Sequence, residues 1–306
     1  MTLLKMTGTE FKAKIYRSII SFFGKLPLNA LYKVGDFAAW VMRSVVSYRK
    51  NVIYINLARS FPEKKYEEIE AIARDYYKRL GNIAAETIWF GGCKGNGDKL
   101  HRQRIYDYTN PEILLNANKE RGVMCMTSHC GNWELLGGIY EYSYTIDLTE
   151  HIDKNNFYVA YRAMYNKVSD KVFYENRRAP LPDYTGQVED VKILRHAVAR
   201  KDDKPIYVLI ADQSPYKASH YVGTFLNQPT VGMLGGFALA VKLGFAVLYM
   251  RQERAGRGHY RLSYEVITEN AEGQDPEELM RKYFAMLEAD IRKDPANWLW
   301  SHKRWK

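Results

Sequence analysis

Cysteine is scarce in this 306-residue chain: Cys93, Cys125 and Cys130 are all it has. So few, and an odd number, exclude a disulfide framework and fit a reducing compartment. Cys125 and Cys130 have no second Cys/His pair at zinc-ligand spacing, so no metal site is read. The N-terminal region lacks a long apolar run too, since no uncharged stretch there reaches the ~18 residues expected of a clear membrane span. No small-residue cleavage site follows the basic N-terminal segment, which argues against a secretory signal. Three catalytic signatures are absent as well. Without G-x-S-x-G there is no nucleophile elbow, without G-K-[ST] no phosphate loop, and without H-E-x-x-H no zinc-protease helix. Acids are in short supply: 35 Asp and Glu face 45 Lys and Arg, a formal net charge of +10. That excess asks for an anionic partner, whether nucleic acid, an anionic membrane surface or a phosphorylated substrate.

What is present is 46% hydrophobic residues, with 24 Tyr and 6 Trp. Side chains with one apolar and one polar end suit lipid headgroups better than a DNA groove. A basic nucleic-acid-binding protein is the reading from a different class. It would need a helix-turn-helix, an RNP-type aromatic strand or Lys/Arg clustered on one helix, and none is found.

The chain opens with Lys5, Lys12, Lys14, Arg17 and Lys25 among the apolar residues Ile15, Ile19, Ile20, Phe22 and Phe23. After Pro27, apolar residues recur at helical spacing from Leu28 to about Tyr48, interrupted by Lys33, Asp36 and Arg43. Residues 1–48 therefore read as a membrane-associating helical region that lies at the interface. An amphipathic helix packed on the core is the alternative. Tyr66 to about Phe90 predicts a further helix, and Gly91, Gly92, Gly95 and Gly97 a loop. From residue 111 onward strands and helices alternate. Strands are predicted at Val123–Thr127, Phe157–Tyr161, Ile206–Ala211, Phe245–Met250 and Tyr260–Ile267. Helices are predicted at Pro111–Ala117, from Asn132 onward, at Val188–Arg200, at Gly232–Leu243 and from an Asp275 cap to about Arg292. With no repeat or linker, residues 49–306 read as one α/β domain with a mixed, largely parallel sheet flanked by helices.

Functional residues of such sheets gather at the carboxyl ends of strands. Three predicted ends carry polar groups: His129 with Glu134 after the first, Arg162 after the second, and Asp212-Gln213 after the third. The spacing of His129 and Glu134 lets a tight turn fold the carboxylate back onto one ring nitrogen, leaving the other as a base. A hydroxyl so activated would attack an electrophilic carbonyl directly. Cys130, beside His129, is a poor nucleophile candidate because adjacent strand residues face opposite ways. Arg162 has the alternative of pairing with a surface carboxylate, and Asp212 of capping a turn. Trp298, Trp300 and Trp305 read as core aromatics rather than membrane contacts. The tail Lys303, Arg304, Lys306 reads equally as a solvated end or an anion contact.

The ordered motifs resemble one family. Tyr48-Arg49 through Asn56-Leu57 to Phe61-Pro62 is similar to its R…NL…FP segment. His129-Cys130-Gly131-Asn132-Trp133-Glu134-Leu135 is close to its HxGNWEL, and Tyr161-Arg162 with Asn166 to its YR…N. Asp212-Gln213, then Thr224-Phe225-Leu226 with Pro229-Thr230, and the ending from Pro295 to Lys306 follow in order. The chain thus resembles the bacterial lipid A biosynthesis acyltransferases, the late enzymes that add secondary acyl chains, within the glycerolipid acyltransferase H-x4-[DE] group. Phe225-Leu226-Asn227 stands where that family often has Phe-Phe-Gly. The resemblance implies an O-acyltransferase that takes its chain from an acyl carrier protein thioester, with no further cofactor. The acceptor would be a Kdo-bearing lipid A precursor, at the cytoplasmic face of the inner membrane of a Gram-negative bacterium. It casts His129 as base and Glu134 as its partner, with Asn132, Arg162, Asp212 and Gln213 in the substrate-binding shell. Membrane lipids are further partners, and another lipid acceptor, a lysophospholipid or aminolipid, is the alternative.

Overall fold

Apolar strands buried on both faces need helices on both sides, and that requirement organises the chain. The computed structural model describes residues 7–141, 151–215 and 220–305. Lys5 and Lys306 lie outside them. Four helices come first: α1 (Gly8–Phe23), α2 (Leu28–Ser44), α3 (Lys50–Ser60) and α4 (Tyr66–Gly91). Then follow α5 (Gly97–Gln103), β1 (Tyr106–Tyr108), α6 (Pro111–Glu120), β2 (Val123–Thr127), a 3-10 helix over Trp133–Glu141, and β3 (Phe157–Tyr161). After them come α7 (Lys167–Arg177), β4 (Gln187–Glu189), α8 (Ile193–Ala199) and β5 (Ile206–Ile210). An antiparallel ribbon, β6 (His220–Phe225) with β7 (Gln228–Gly232), leads into α9 (Gly235–Leu243), β8 (Ala246–Gly256), β9 (His259–Thr268) and α10 (Pro276–Lys293).

The described residues form a seven-stranded sheet in the order β1-β9-β8-β2-β5-β3-β4. Every neighbouring pair is parallel except the β8–β9 hairpin, so the sheet is mixed and largely parallel. Alternate strand residues feed two cores. Met124, Met126, Tyr207 and Tyr249 join Phe237, Tyr283 and Leu287 on one face, and Val123, Cys125, Val208 and Leu248 join Trp89, Phe90 and Leu114 on the other. The long α10 lays Leu279, Tyr283, Leu287 and Ile291 against the first core. Its start is as the sequence predicts: the Asp275 side chain accepts from the Glu277 amide and Pro276 takes the first turn.

Differences from the sequence reading have local causes. The region after Asn132 forms a 3-10 helix rather than an α-helix. The predicted 188–200 helix opens instead as β4, a three-residue strand at the sheet edge, and only Ile193–Ala199 is α-helical. In the β6–β7 ribbon the turn residues Leu226 and Asn227 both have positive φ, 50° and 60°. This is the backbone of a two-residue type I′ turn. Asn tolerates that conformation, and the tip is pinned: Glu288 accepts the Leu226 amide at 2.8 Å and the Asn227 amide group donates to Ser60 O at 2.9 Å.

At the N-terminal side, α2 runs along α4 in backbone contact, because a Cβ at Gly35 or at Gly81 would strike the other's carbonyl. α1 packs on α4 and α7, and Arg17 donates to Asn176 Oδ1 at 2.5 Å. Both helices leave large apolar side chains in the open: Phe11, Ile15, Ile19 and Phe22 on α1, and Val34, Phe37 and Trp40 on α2. Among the described residues no helix is long and apolar enough to cross a membrane.

Candidate functional site

Parallel strands in register carry residues of different segments to the same height. Thr127 at the end of β2 pairs with Ile210 at the end of β5, and the Ala211 amide still donates to Thr127 O at 3.0 Å. His129 and Asp212 each lie two residues beyond that pair, so the two side chains emerge together. The contact is close: His129 Nδ1 lies 2.6 Å from Asp212 Oδ1, and the His129 backbone amide donates to Oδ2 at 2.9 Å. Trp298 Nε1 donates to the same Oδ2 at 2.8 Å.

Asp212 is 2% exposed. Burial, the largest single effect, pushes its carboxyl up. The charge and hydrogen bonds of His129 and the Trp298 donor together outweigh burial and hold the group below its ordinary value. A carboxylate only accepts, so Nδ1 carries the proton and Nε2 presents its lone pair. Gln213 Nε2 donates to that lone pair at 3.1 Å.

Glu134 is elsewhere engaged. Arg177, from the last turn of α7, grips it with two bonds, Nε to Oε2 at 2.9 Å and one terminal nitrogen to Oε1 at 3.0 Å. The expected Glu134–His129 hydrogen bond is therefore replaced by Asp212–His129 on one side and Arg177–Glu134 on the other. The cause is the turn between them. Gly131 takes φ +65°, and Asn132 Oδ1 accepts the Glu134 amide at 3.2 Å, starting the 3-10 helix. The Trp133 ring, not the carboxylate, meets the imidazole, edge to face with centroids 5.0 Å apart.

Asn132 also departs from expectation. It is fully buried and its amide group donates to Glu86 Oε2 at 2.8 Å, so it holds the loop and does not line the cleft. Glu86 in turn accepts from Tyr32 and Tyr260 hydroxyls at 2.9 and 2.8 Å. Burial pushes its carboxyl up in spite of these donors. Cys130 is buried and its thiol is pushed up by burial, which makes it inert as a nucleophile.

His129, Glu134, Arg177, Arg162 and Gln213 share one cleft of about 480 Å³, within the range of small-ligand sites. Its walls are otherwise largely apolar, with Trp133, Leu136, Val159, Ile193, Met233 and Phe237 among them. Arg162 reaches it after β3, with Asp190 accepting from its Nε at 2.7 Å. Among the described residues no group of three His, Cys, Asp or Glu could hold a metal ion.

The family model of the bacterial lipid A biosynthesis acyltransferases matches residues 6–306. The chain belongs to that family. It is accordingly an acyltransferase, acting on a lipid. Among solved structures, the crystal structure of the 1-acyl-sn-glycerophosphate (LPA) acyltransferase PlsC from Thermotoga maritima aligns over 92% of this chain and 97% of its own, with 15% identity and a TM-score of 0.34. That likeness is too slight to bear on the chemistry. No curated protein matches.

The acyltransferase builds its site partly from its C-terminal segment. Trp298 and Trp300 are buried as expected of core aromatics, and Trp298 in addition fixes Asp212. Arg49 donates to Ser301 O at 2.9 Å and Asn56 to the carbonyls of Trp300 and His302 at 3.0 Å, so the segment around α3 clamps the C-terminal one. Arg304 is not a solvated end. It is 2% exposed, donates to Val231 O, and burial lowers its pKa to about 10. His302 accepts from the Ser214 amide at 3.5 Å, and its pKa is lowered to about 4, chiefly by burial, so it stays neutral near pH 7. Reading residue types along the chain missed Arg177, Glu86 and Trp298, because each acts through a contact distant in sequence.

Proposed function

We propose that this enzyme moves a fatty acyl chain from an acyl carrier protein thioester to a hydroxyl of a Kdo-bearing lipid A precursor, with His129 as general base and no acyl-enzyme. The observation that carries the reading is the imidazole with Nδ1 fixed on Asp212 and Nε2 turned toward an apolar-walled cleft. The acceptor hydroxyl displaces Gln213 from Nε2 and gives up its proton there as its oxygen attacks the thioester carbon. The buried Asp212 carboxylate stabilises the imidazolium that forms. Collapse of the tetrahedral intermediate breaks the carbon–sulfur bond, and the imidazolium returns the proton to the departing sulfur. The Arg177–Glu134 pair and Arg162 bring two cations to the cleft, suited to the phosphates of the acceptor or of the carrier's prosthetic arm. No further cofactor is required.

The open apolar faces of α1 and α2 support seating at a membrane, with the cytoplasmic face of the inner membrane of a Gram-negative bacterium as the proposed location. Purified protein incubated with acyl carrier thioesters and a Kdo-bearing precursor, read by mass spectrometry, tests the reaction. One added acyl mass on the precursor is expected. Transfer to a lysophospholipid or aminolipid instead would change the acceptor, and unchanged transfer by His129→Ala would overturn the mechanism.

A further inference from the structure

A second pocket, of about 360 Å³, lies away from the cleft between α2, α4 and the tip of the β8–β9 hairpin. Helical spacing builds it: Arg74, Lys78 and Asn82 lie on one face of α4, and Trp40 and Arg43 on one face of α2. Arg254 comes from β8. Two carboxylates also line the pocket but are committed, Asp36 to Arg257 at 2.6 Å and Asp75 to Arg79 at 2.7 Å. Arg43, Arg74, Lys78 and Arg254 make no ion pair among the described residues. Four cations thus converge on one pocket, and its two carboxylates are each paired with a different arginine. Asn82 adds a buried amide whose oxygen has no hydrogen-bond partner. An amide rotated by half a turn presents two N–H donors instead, which suits an anion.

What sits beside the pocket narrows the ligand. Trp40 is 54% exposed and stacks on Phe37, which is 65% exposed, with centroids 5.9 Å apart. Trp40 therefore belongs both to the cation pocket and to an open apolar face. A soluble acidic protein would leave that face uncovered, whereas a phospholipid places an anionic group next to hydrocarbon. We propose that this pocket binds the phosphoryl headgroup of an anionic phospholipid while Phe37 and Trp40 enter the adjoining acyl layer. The site rests on the reading that α2 lies at a membrane surface, and it fixes which way the enzyme faces when it does so.

Flotation with phosphatidylcholine vesicles, with and without phosphatidylglycerol, separates the two ideas. The wild-type protein is compared with an Arg74→Gln/Lys78→Gln variant, whose melting temperature checks that it folds. Both side chains are exposed and without ion-pair partners, so their loss leaves no buried charge behind. Each cation near an anionic surface strengthens binding roughly fivefold, so the variant should bind phosphatidylglycerol vesicles about 25-fold more weakly. Binding to pure phosphatidylcholine should be unchanged. Equal flotation of wild type and variant on phosphatidylglycerol vesicles would overturn the pocket and leave the membrane reading standing. Failure of the wild type to float with either vesicle would sink that reading and the pocket with it. Inorganic phosphate that removes the lipid preference, where chloride of equal ionic strength does not, would assign the site to free phosphate. A variant that keeps its lipid preference but loses affinity for acyl carrier protein would make it a protein-docking site.

Discussion

Asp212 and Glu134, the two carboxylates nearest His129 in sequence or in register, are held in opposite ways. Asp212 is buried just beyond the end of β5, takes three hydrogen bonds from His129 and Trp298, and touches the imidazole directly. Glu134 lies on the cleft wall, paired with a two-pronged Arg177, while the Trp133 ring meets the imidazole. The first arrangement fixes a tautomer, and the second fixes a charge pair on the cleft wall. Sequence spacing favours Glu134 as the partner of the base, whereas strand register favours Asp212. Register wins because hydrogen bonds along β2 and β5 hold both residues, while the Gly131 turn frees Glu134 to go elsewhere.

The comparison can be broken by substitution. His129→Ala should reduce acyl transfer most, by about 10,000-fold, the upper range for losing a general base. Asp212→Asn should cost kcat roughly 100- to 1,000-fold, since an amide can donate to Nδ1 and stabilise the wrong tautomer. Glu134→Gln should cost less, about tenfold, and mainly in KM. The double variant Glu134→Gln/Arg177→Gln should be little worse than either single one, as for partners in one pair. Equal kcat losses for Asp212→Asn and Glu134→Gln would erase the distinction. Smaller again, Trp298→Phe removes one donor to a charged group and should lower stability by about 2 kcal/mol in urea unfolding.

Acid tests the same region by its stability. His302 is depressed to about 4 from 6.5, so between those values the unfolded chain binds the extra proton. Stability is fully present above pH 6.5 and is lost as pH falls toward 4. His302→Gln should flatten that slope in melting curves. Asp212, also depressed, has its contribution above its ordinary value of 3.8 and loses it only below that.

Much of the fold was legible because buried parallel strands announce themselves as short apolar runs. Val123–Thr127 and Phe157–Tyr161 form where the sequence puts them, and the Asp275-Pro276 start of α10 does too. β1, β4 and α7 were not, since three-residue strands leave little periodicity to read and α7 is short, polar and rich in charged residues. In the site, the three polar strand ends were legible as a group. Which acid faces His129 was not, because register between β2 and β5 is a property of the sheet rather than of either segment. The roles of Asn132 and Arg304 were hidden for a related reason: a buried polar side chain and a solvated one look alike until their partners are placed.

The clamp on the C-terminal segment also has a consequence in time. Arg49 and Asn56 bind carbonyls 244 to 252 positions later, and Trp298 completes the support of Asp212. During synthesis from the N-terminus, α3 and the strand ends exist well before the segment that joins them. Contacts of such sequence separation form late, after the loop-closure entropy of the intervening chain has been overcome. The hydrogen-bond shell of Asp212 is therefore complete only when Trp298 has been made and docked. A partly synthesised chain can hold most of the sheet and still lack the Trp298 donor and the clamp that Arg49 and Asn56 close.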